Sequence, residues 1–318
     1  MMENYHTLLQ AALQQGAVIL NARTGKRCHV LSGCQLQYDL RRGFPAITTK
    51  RLAFRSAVGE LLGFFRGYTS AADFRALGCG VWDKNANESP AWLANPNRKG
   101  TDDLGRIYRW TDWRDDRIAR TEAERDQLVE QGFKVRLHDA QRGEWLVTRG
   151  INQIEAALRT ILSDPSDRRI VISGWRPDEF HLAALPACHS QYAFVPDPEQ
   201  GLLHLVVWLR SADLFLGTPF NTAEAAVFLS LMARFADYQP ATLTLQAANA
   251  HLYEDHVAAA REQLTRSHLP APRLLISDRV QPIADLDQVS GAFARVEPED
   301  FSLVDYQSHG AIPAPMAA

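Results

Sequence analysis

Cys188, in the run LPACHSQYAF, is the residue with the clearest capacity for covalent chemistry. A thiol attacks carbon only as the thiolate, so a nucleophilic cysteine requires nearby positive charge to lower its pKa from about 8.5. Pro186 restricts the backbone ahead of the thiol, and His189 follows it directly. A single cysteine in an apolar run is more often a small, inert core residue. Which role applies depends on what the rest of the chain supplies.

Four arginines could supply that charge and also bind an anion. They are Arg23 in NARTG, the neighbours Arg168 and Arg169 ahead of an apolar run, and Arg210 in RSADLFLGTPFN. Guanidinium groups bind phosphate through paired hydrogen bonds, so arginines that meet at one point would suit a phosphate dianion. The hydroxyl of Ser211 could join the same anion. Each arginine could equally be a solvated surface charge.

Other polar residues suit the binding of a base and a sugar, or the movement of protons. Asn221 carries a donor and an acceptor that match the N–H and C=O of uracil, although its place near the start of an apolar helix also suits an N-cap. His251 and Tyr253 are two residues apart, so on a strand both side chains share one face. Glu60 interrupts an apolar helix, where burial would raise its pKa and allow proton transfer, unless it lies at an exposed edge.

The elements that must hold these residues follow from the hydrophobic pattern. Helical spacing predicts helices at 51–67 and 151–165, and the apolar run 220–238 predicts a buried central helix. Runs rich in β-branched and apolar residues predict strands at 168–175 and 201–210, with further strands in TLTLQA and PRLLIS. Because strands and helices come in mixed order without regular βαβ alternation, we expect an α+β fold.

Residues 84–150 differ in character from the rest of the chain. An Asn- and Pro-rich segment is followed by a charged stretch, 113–145, with weak helical periodicity. Motifs that carry chemistry lie on both sides of this region. We therefore expect a surface insertion within a single domain that spans residues 1–318.

Composition limits the class of protein. The net charge of −3 and the pI near 6.4 argue against a protein that coats nucleic acid. The start lacks the cationic and apolar regions of a signal peptide, and no apolar run approaches membrane-spanning length. The four cysteines are scattered without a zinc-like cluster, which indicates free thiols in a reducing compartment. We expect a cytoplasmic enzyme with no metal, no nucleic-acid partner and no membrane partner.

A series of motifs in this chain resembles thymidylate synthases and keeps the order of that family across nearly the whole chain. The resemblance implies a homodimer built on a large bent mixed β-sheet packed with helices, with one sheet face as the dimer interface. The motifs are ARTG (22–25), GFPAITTKR (43–51), ELLGFFRG (60–67), VWD (81–83), DDLGRIY (102–108), SDRRIVISGW (166–175), LPACH (185–189), RSADLFLGTPFN (210–221), AHLYEDH (250–256) and the terminal PAPMAA.

The resemblance also implies a role for each candidate residue in folate-dependent transfer to dUMP. Cys188 would add to C6 of the uracil, so that C5 attacks the methylene carbon of the co-substrate 5,10-methylenetetrahydrofolate. Glu60 and Tyr108 would manage protons, and Asn221 would bind the uracil edge. The implied dUMP ligands are Arg23, His189, Arg210, Ser211, Asp213, Asn221, His251 and Tyr253, joined by Arg168 and Arg169 from the partner subunit. The implied folate-side residues are Trp82, Asp213, Gly217 and Ala318.

Departures from the family pattern lie near the base and the closure over folate. The run after the DLG turn is YRWTDW, without the usual Gly and Gln, and Ala193 replaces the Gln four places after the motif His. Asn249 replaces an Asp, and Ala318 stands where a valine commonly closes the site.

These departures bear on the product, because closure decides whether water reaches the methylene intermediate. The altered closure predicts that water adds, which makes the chain a dUMP hydroxymethylase that yields 5-hydroxymethyl-dUMP. Trp82, which in the family shields that methylene, favours the alternative, reduction to dTMP with release of dihydrofolate. A catalytically silent nucleotide-binding homologue is a third alternative.

Overall fold

The computed structural model describes residues 2–316 of the 318-residue chain, in which helices pack against a central mixed β-sheet. Across these residues, no helix has both the length and the apolar character needed to cross a membrane. The helices are α1 (Glu3–Gln15), α2 (Phe54–Phe65), α3 (Ala71–Ala76), α4 (Asp83–Asn87), α5 (Pro90–Leu93), α6 (Glu122–Glu130), α7 (Gln153–Ser163), α8 (Gly217–Ala236) and α9 (Val257–Leu264). The strands are β1 (Ala17–Asn21), β2 (Lys26–Asp39), β3 (Trp113–Ala119), β4 (Lys134–Asp139), β5 (Glu144–Ile151), β6 (Val171–Ser173), β7 (His189–Asp197), β8 (Leu202–Leu209), β9 (Ala212–Asp213), β10 (Gln239–Tyr253), β11 (Arg273–Ile276) and β12 (Phe301–Val304).

The central sheet has seven strands in the order β1-β2-β10-β8-β7-β6, with β9 paired to β10. Strand β10 runs antiparallel to β2 and parallel to β8, so the sheet is mixed. The pairing register shifts between Pro240 and Leu243 and again between His189 and Gln191. Such bulges bend a strand. The expected α+β fold with a large mixed sheet is confirmed.

Helix α8 is the buried central helix that its apolar sequence predicts. Most of its residues are buried, and it packs on β8, β10 and α2. The helix begins at Gly217 and its N-cap is Leu216. Asn221 therefore lies one turn inside the helix, and the alternative that it serves as the N-cap is wrong. Because the amide is not used for capping, it is available to the neighbouring cleft.

Two other predicted helices form with shifted ends. Helix α2 begins at Phe54 and ends at Phe65, and Gly67 follows with a positive φ of 64°, as expected for a residue just beyond a helix C-terminus. Helix α7 begins after Asn152, whose side chain accepts the N–H groups of Ile154 and Glu155. Strand β5 takes up the preceding residues, so the expected start of that helix at 151 is wrong.

The charged stretch 113–145 contains more β-structure than helix, contrary to its weak helical periodicity. Strands β3, β5 and β4 form a separate three-stranded antiparallel sheet, and only α6 is helical. Most residues of β3 and β4 are exposed. In β4 the apolar Val135 and Leu137 alternate with polar residues, although both are exposed. This alternation is the sequence signal for β4 that the helical interpretation missed.

Strands β7 and β8 carry large apolar side chains on both of their faces. Leu203, Leu205 and Val207 are buried in the core, whereas Trp208 is 45% exposed and Val195 on β7 is 51% exposed. Exposed apolar side chains grouped on one sheet face are typical of an interaction surface.

Candidate active site

The predicted site residues meet in a cleft of about 460 Å³. Side chains reach it from the turn after β1, from α2, from the start of α8, from the end of β10 and from the C-terminal segment. Positions far apart in sequence therefore converge as the motifs implied. The predicted residues that line the cleft are Arg23, Glu60, Trp82, Tyr108, Cys188, His189, Arg210, Ser211, Asp213, Gly217, Asn221, His251 and Tyr253.

Three predicted residues are not among those that line it. Arg168 and Arg169 are exposed just ahead of β6, and the side chain of Arg169 is 87% exposed and pairs with Asp167 at 2.7 Å. Ala318 lies outside the described residues. The cleft of one chain is thus formed without the arginine pair.

Cys188 and Arg210 are brought together by the antiparallel pairing of β7 with β8. The start of one strand meets the end of the other, and the Arg210 N–H donates to the Cys188 carbonyl at 3.0 Å. The guanidinium donates to the carbonyls of Pro186 and Ala187, and its Nη2 lies 3.8 Å from the Cys188 Sγ. The positive charge that a nucleophilic thiol requires is therefore present.

The net pKa of the Cys188 thiol nevertheless lies above its ordinary value. Burial raises this pKa by more than the positive charge of Arg210 lowers it, and Glu60 raises it further. The positive charge of Arg210 is present, but by itself it does not bring the thiol pKa below its ordinary value. Desolvation of the thiolate outweighs its attraction to the guanidinium.

Tyr108 positions the backbone around the nucleophile. Its hydroxyl oxygen accepts the Cys188 N–H at 2.9 Å and lies 3.1 Å from Nδ1 of His189. Burial lowers the pKa of His189 to about 3, so the ring is neutral and Nδ1 can accept the Tyr108 hydroxyl proton. Burial also raises the pKa of Tyr108 well above its ordinary value. The phenol is therefore protonated at neutral pH and able to donate.

Glu60 is a buried carboxylic acid at the cleft, not a residue at an exposed helix edge. It extends from α2, and burial raises the pKa of Glu60 to about 7. The indole N–H of Trp82 is near enough to lower this pKa slightly, although it falls short of a hydrogen bond. A group with a pKa near neutrality can both accept and donate a proton, as proton transfer at the cleft requires.

The polar residues at the start of α8 and the end of β10 also face the cleft. Asp213 accepts the N–H groups of Phe215 and Leu216, at 2.9 and 3.3 Å, which holds the turn that leads into α8. His251 and Tyr253 both line the cleft, with ring centroids 5.0 Å apart, as their two-residue spacing on a strand predicts.

Several residues of the site were missed by the sequence reasoning. Lys50 lines the cleft, and burial lowers its pKa to about 8. Glu224 lies in α8 next to Glu60 and is fully buried. A charged residue inside an apolar helix was the signal that singled out Glu60, and the same signal was present in FNTAEAAVFLS around Glu224.

The C-terminal segment and the altered YRWTDW run also contribute to the site. Ile312 and Met316 line the cleft, and His256 donates to the Pro315 carbonyl at 2.7 Å. Trp110, from the altered run, is fully buried and packs against Tyr108. Within residues 2–316, no group of His, Cys, Asp or Glu side chains is arranged to hold a metal ion.

Comparison with known proteins gives a consistent result over the whole chain. A family model described as thymidylate synthase matches residues 3–318. The chain is 43% identical to the thymidylate synthase of Bordetella parapertussis, over 99% of this chain and 100% of that protein. It is also 43% identical to the thymidylate synthase of Pseudomonas syringae pv. tomato and 35% identical to that of Haemophilus influenzae, each over 99% of this chain and the full length of the relative.

Proposed function

Because the chain belongs to the thymidylate synthase family, we propose that it methylates dUMP reductively to dTMP and releases dihydrofolate. It is a transferase of one-carbon units whose co-substrate is 5,10-methylenetetrahydrofolate. The names of the relatives support dTMP over the 5-hydroxymethyl-dUMP that the altered positions led us to expect. The observation that carries the proposal is the placement of Cys188 beside Arg210 in a cleft that also holds Glu60 and Asn221.

In this mechanism the side chains of the cleft act on dUMP from several sides. The Cys188 thiolate forms a bond to C6, and the electron pair of the C5–C6 bond becomes nucleophilic at C5. Asn221 accepts the N3–H and donates to O4 of the uracil, which stabilises the charge that develops on that oxygen. Glu60 holds or releases protons near the base, as its pKa near neutrality allows.

The walls of the cleft suit a folate and the exclusion of water. Trp82, Leu185 and Ile312 provide apolar surface on which a pterin ring can stack, and Asp213 and Asn85 add polar groups beside them. Removal of water from the exocyclic methylene favours hydride transfer over hydration. The apolar lining therefore supports the methyl product.

We further propose that Arg168 and Arg169 bind the phosphate in the cleft of a partner subunit, across a homodimer formed by the exposed face of the central sheet. Both arginines lie outside the cleft of their own chain, and Trp208 and Val195 leave an apolar sheet face uncovered.

Three experiments test these proposals. The nucleotide formed from dUMP and methylenetetrahydrofolate should have the mass of dTMP, with dihydrofolate as the folate product. A hydroxymethyl product with tetrahydrofolate would refute the synthase assignment, and no folate-dependent adduct with 5-fluoro-dUMP would indicate a silent homologue. Cys188→Ala and an Arg168→Ala/Arg169→Ala double variant should each be inactive alone and regain activity when mixed. Mixing would restore nothing if the arginines served the cleft of their own chain.

A further inference from the structure

Glu224 is a second buried carboxyl group, next to Glu60, and the mechanism above does not use it. It extends from α8 into the core and is fully buried, with 0% exposure. Within the described residues, no N–H or O–H group of the protein is placed to donate to either of its carboxyl oxygens. A buried carboxylate without a donor would be strongly destabilising. Glu224 therefore requires either a partner or a proton.

The partner is Glu60, which α2 presents to the same space because α2 packs against α8. The two carboxyl groups are near enough for each to alter the pKa of the other. Two carboxylates are acceptors only, so a hydrogen bond between Glu60 and Glu224 requires that one of them carries a proton. Glu60 is 7% exposed and lines the cleft, whereas Glu224 has no exposed surface. The proton of the pair is therefore better placed on Glu224, since Glu60 reaches the cleft and retains the charge at lower cost.

Among the described residues, no positively charged side chain is found to interact with this pair and so favour two carboxylates. The ionisable groups that interact with the pair come from the core and the cleft: Cys79, Tyr108, Cys188 and Tyr192. Each of them is neutral or negative. Burial accordingly raises the pKa of Glu224 well above its ordinary value, and the charge of Glu60 raises it further.

We propose that Glu224 is a positioning residue for Glu60: it stays protonated at neutral pH and donates its O–H to the Glu60 carboxylate at the floor of the cleft. This inference rests on the proposed function for its significance, because proton transfer by Glu60 is part of that reaction. The donated hydrogen bond stabilises the Glu60 carboxylate and keeps its ionisation within reach of neutral pH. It also fixes the orientation of the Glu60 carboxyl group toward the cleft.

The test is a pH titration of the full-length protein in the absence of substrate. The protein is labelled with ¹³C at the glutamate carboxyl carbons, and NMR monitors each carboxyl signal as the pH changes. Glu60→Gln and Glu224→Gln assign the two signals. In the wild-type protein the Glu60 signal should titrate near its pKa of about 7, and the Glu224 signal should remain that of a protonated acid above that pH. If no glutamate is protonated above the Glu60 transition, the proposal fails, whether or not any variant folds.

Two variants at Glu224 separate the donor role from mere packing. Glu224→Gln keeps an N–H donor and should leave the Glu60 titration near the wild-type value. Glu224→Leu removes the donor, so the pKa of Glu60 should rise by about one unit or more, a tenfold change in its ionisation. An unchanged Glu60 pKa in Glu224→Leu would overturn the proposal, because no donated hydrogen bond would have been lost. A lowered Glu60 pKa would also overturn it, because Glu224 would then have been the charged partner. Glu130→Gln, at the exposed end of α6, is the matched control and should change nothing.

Product analysis of the same samples keeps this proposal separate from the proposed function. A wild-type protein that titrates as expected but forms no dTMP would refute the function and leave the carboxyl pair intact. In an active enzyme, the pH profile of kcat should shift in Glu224→Leu in the same direction as the Glu60 titration.

Discussion

Removal of the Arg210 charge should raise the pKa of the Cys188 thiol and slow its alkylation. Two unit charges separated by the 3.8 Å between Arg210 Nη2 and Cys188 Sγ attract by about 4 kcal/mol at an effective dielectric constant of about 20. Arg210 is only half-buried, so solvent at the cleft screens this attraction, and we use about half of it, ~2 kcal/mol. That free energy corresponds to about 1.5 pKa units, or a roughly 30-fold smaller thiolate fraction below the pKa.

The assay is the pH dependence of iodoacetamide alkylation of Cys188, followed by peptide mass spectrometry in wild type and Arg210→Gln. The midpoint of the rate profile reports the thiol pKa. The plateau at high pH reports how accessible the thiol is. Arg210 also donates to the carbonyls of Pro186 and Ala187, so its removal could change this accessibility. Arg23→Gln is the matched control. Its guanidinium is exposed and lowers the Cys188 pKa less than Arg210 does, so it should shift the midpoint by less. An unmoved midpoint in Arg210→Gln would refute the electrostatic reasoning.

Three further predictions concern residues around the nucleophile. Burial lowers the pKa of Lys50 from 10.5 to about 8. Between these two pH values the unfolded chain binds a proton that the folded protein does not. The contribution of Lys50 to folding stability therefore rises by about 3 kcal/mol from pH 8 to pH 10.5. The difference in unfolding free energy between wild type and Lys50→Met should change by this amount from pH 8 to 10.5, and a constant difference would contradict the burial of the charge. Tyr108→Phe removes the acceptor of the Cys188 N–H and should cost about 1 kcal/mol or more in urea denaturation, whereas a neutral effect would mean that water replaces it. His256→Leu frees the Pro315 carbonyl and the C-terminal segment, so initial rates should give a raised KM for folate with a smaller change in the KM for dUMP.

Much of this protein could be predicted from local sequence patterns. The apolar run of α8, the strand spacing of His251 and Tyr253 and the motif order around Cys188 led to the α+β fold and to most of the cleft. Periodicity and residue type depend only on neighbours along the chain, whereas most of the site residues were implied by the resemblance of the ordered motifs to a family. The strands at 113–151 were missed because this charged stretch was interpreted as a weak helical pattern, although Val135 and Leu137 alternate with polar residues in β4.

The electrostatic state of the site was decided by the tertiary structure alone. The sequence could indicate that an arginine stands near Cys188, but not that burial would outweigh its charge and raise the thiol pKa. The sequence shows Glu60 and Glu224 in two apolar helices, but it does not show that their side chains are neighbours in the folded protein. Desolvation and charge pairing depend on distances between residues that are far apart in the chain. The chemical groups are therefore determined by the sequence, whereas their protonation states are determined by how the helices and strands pack.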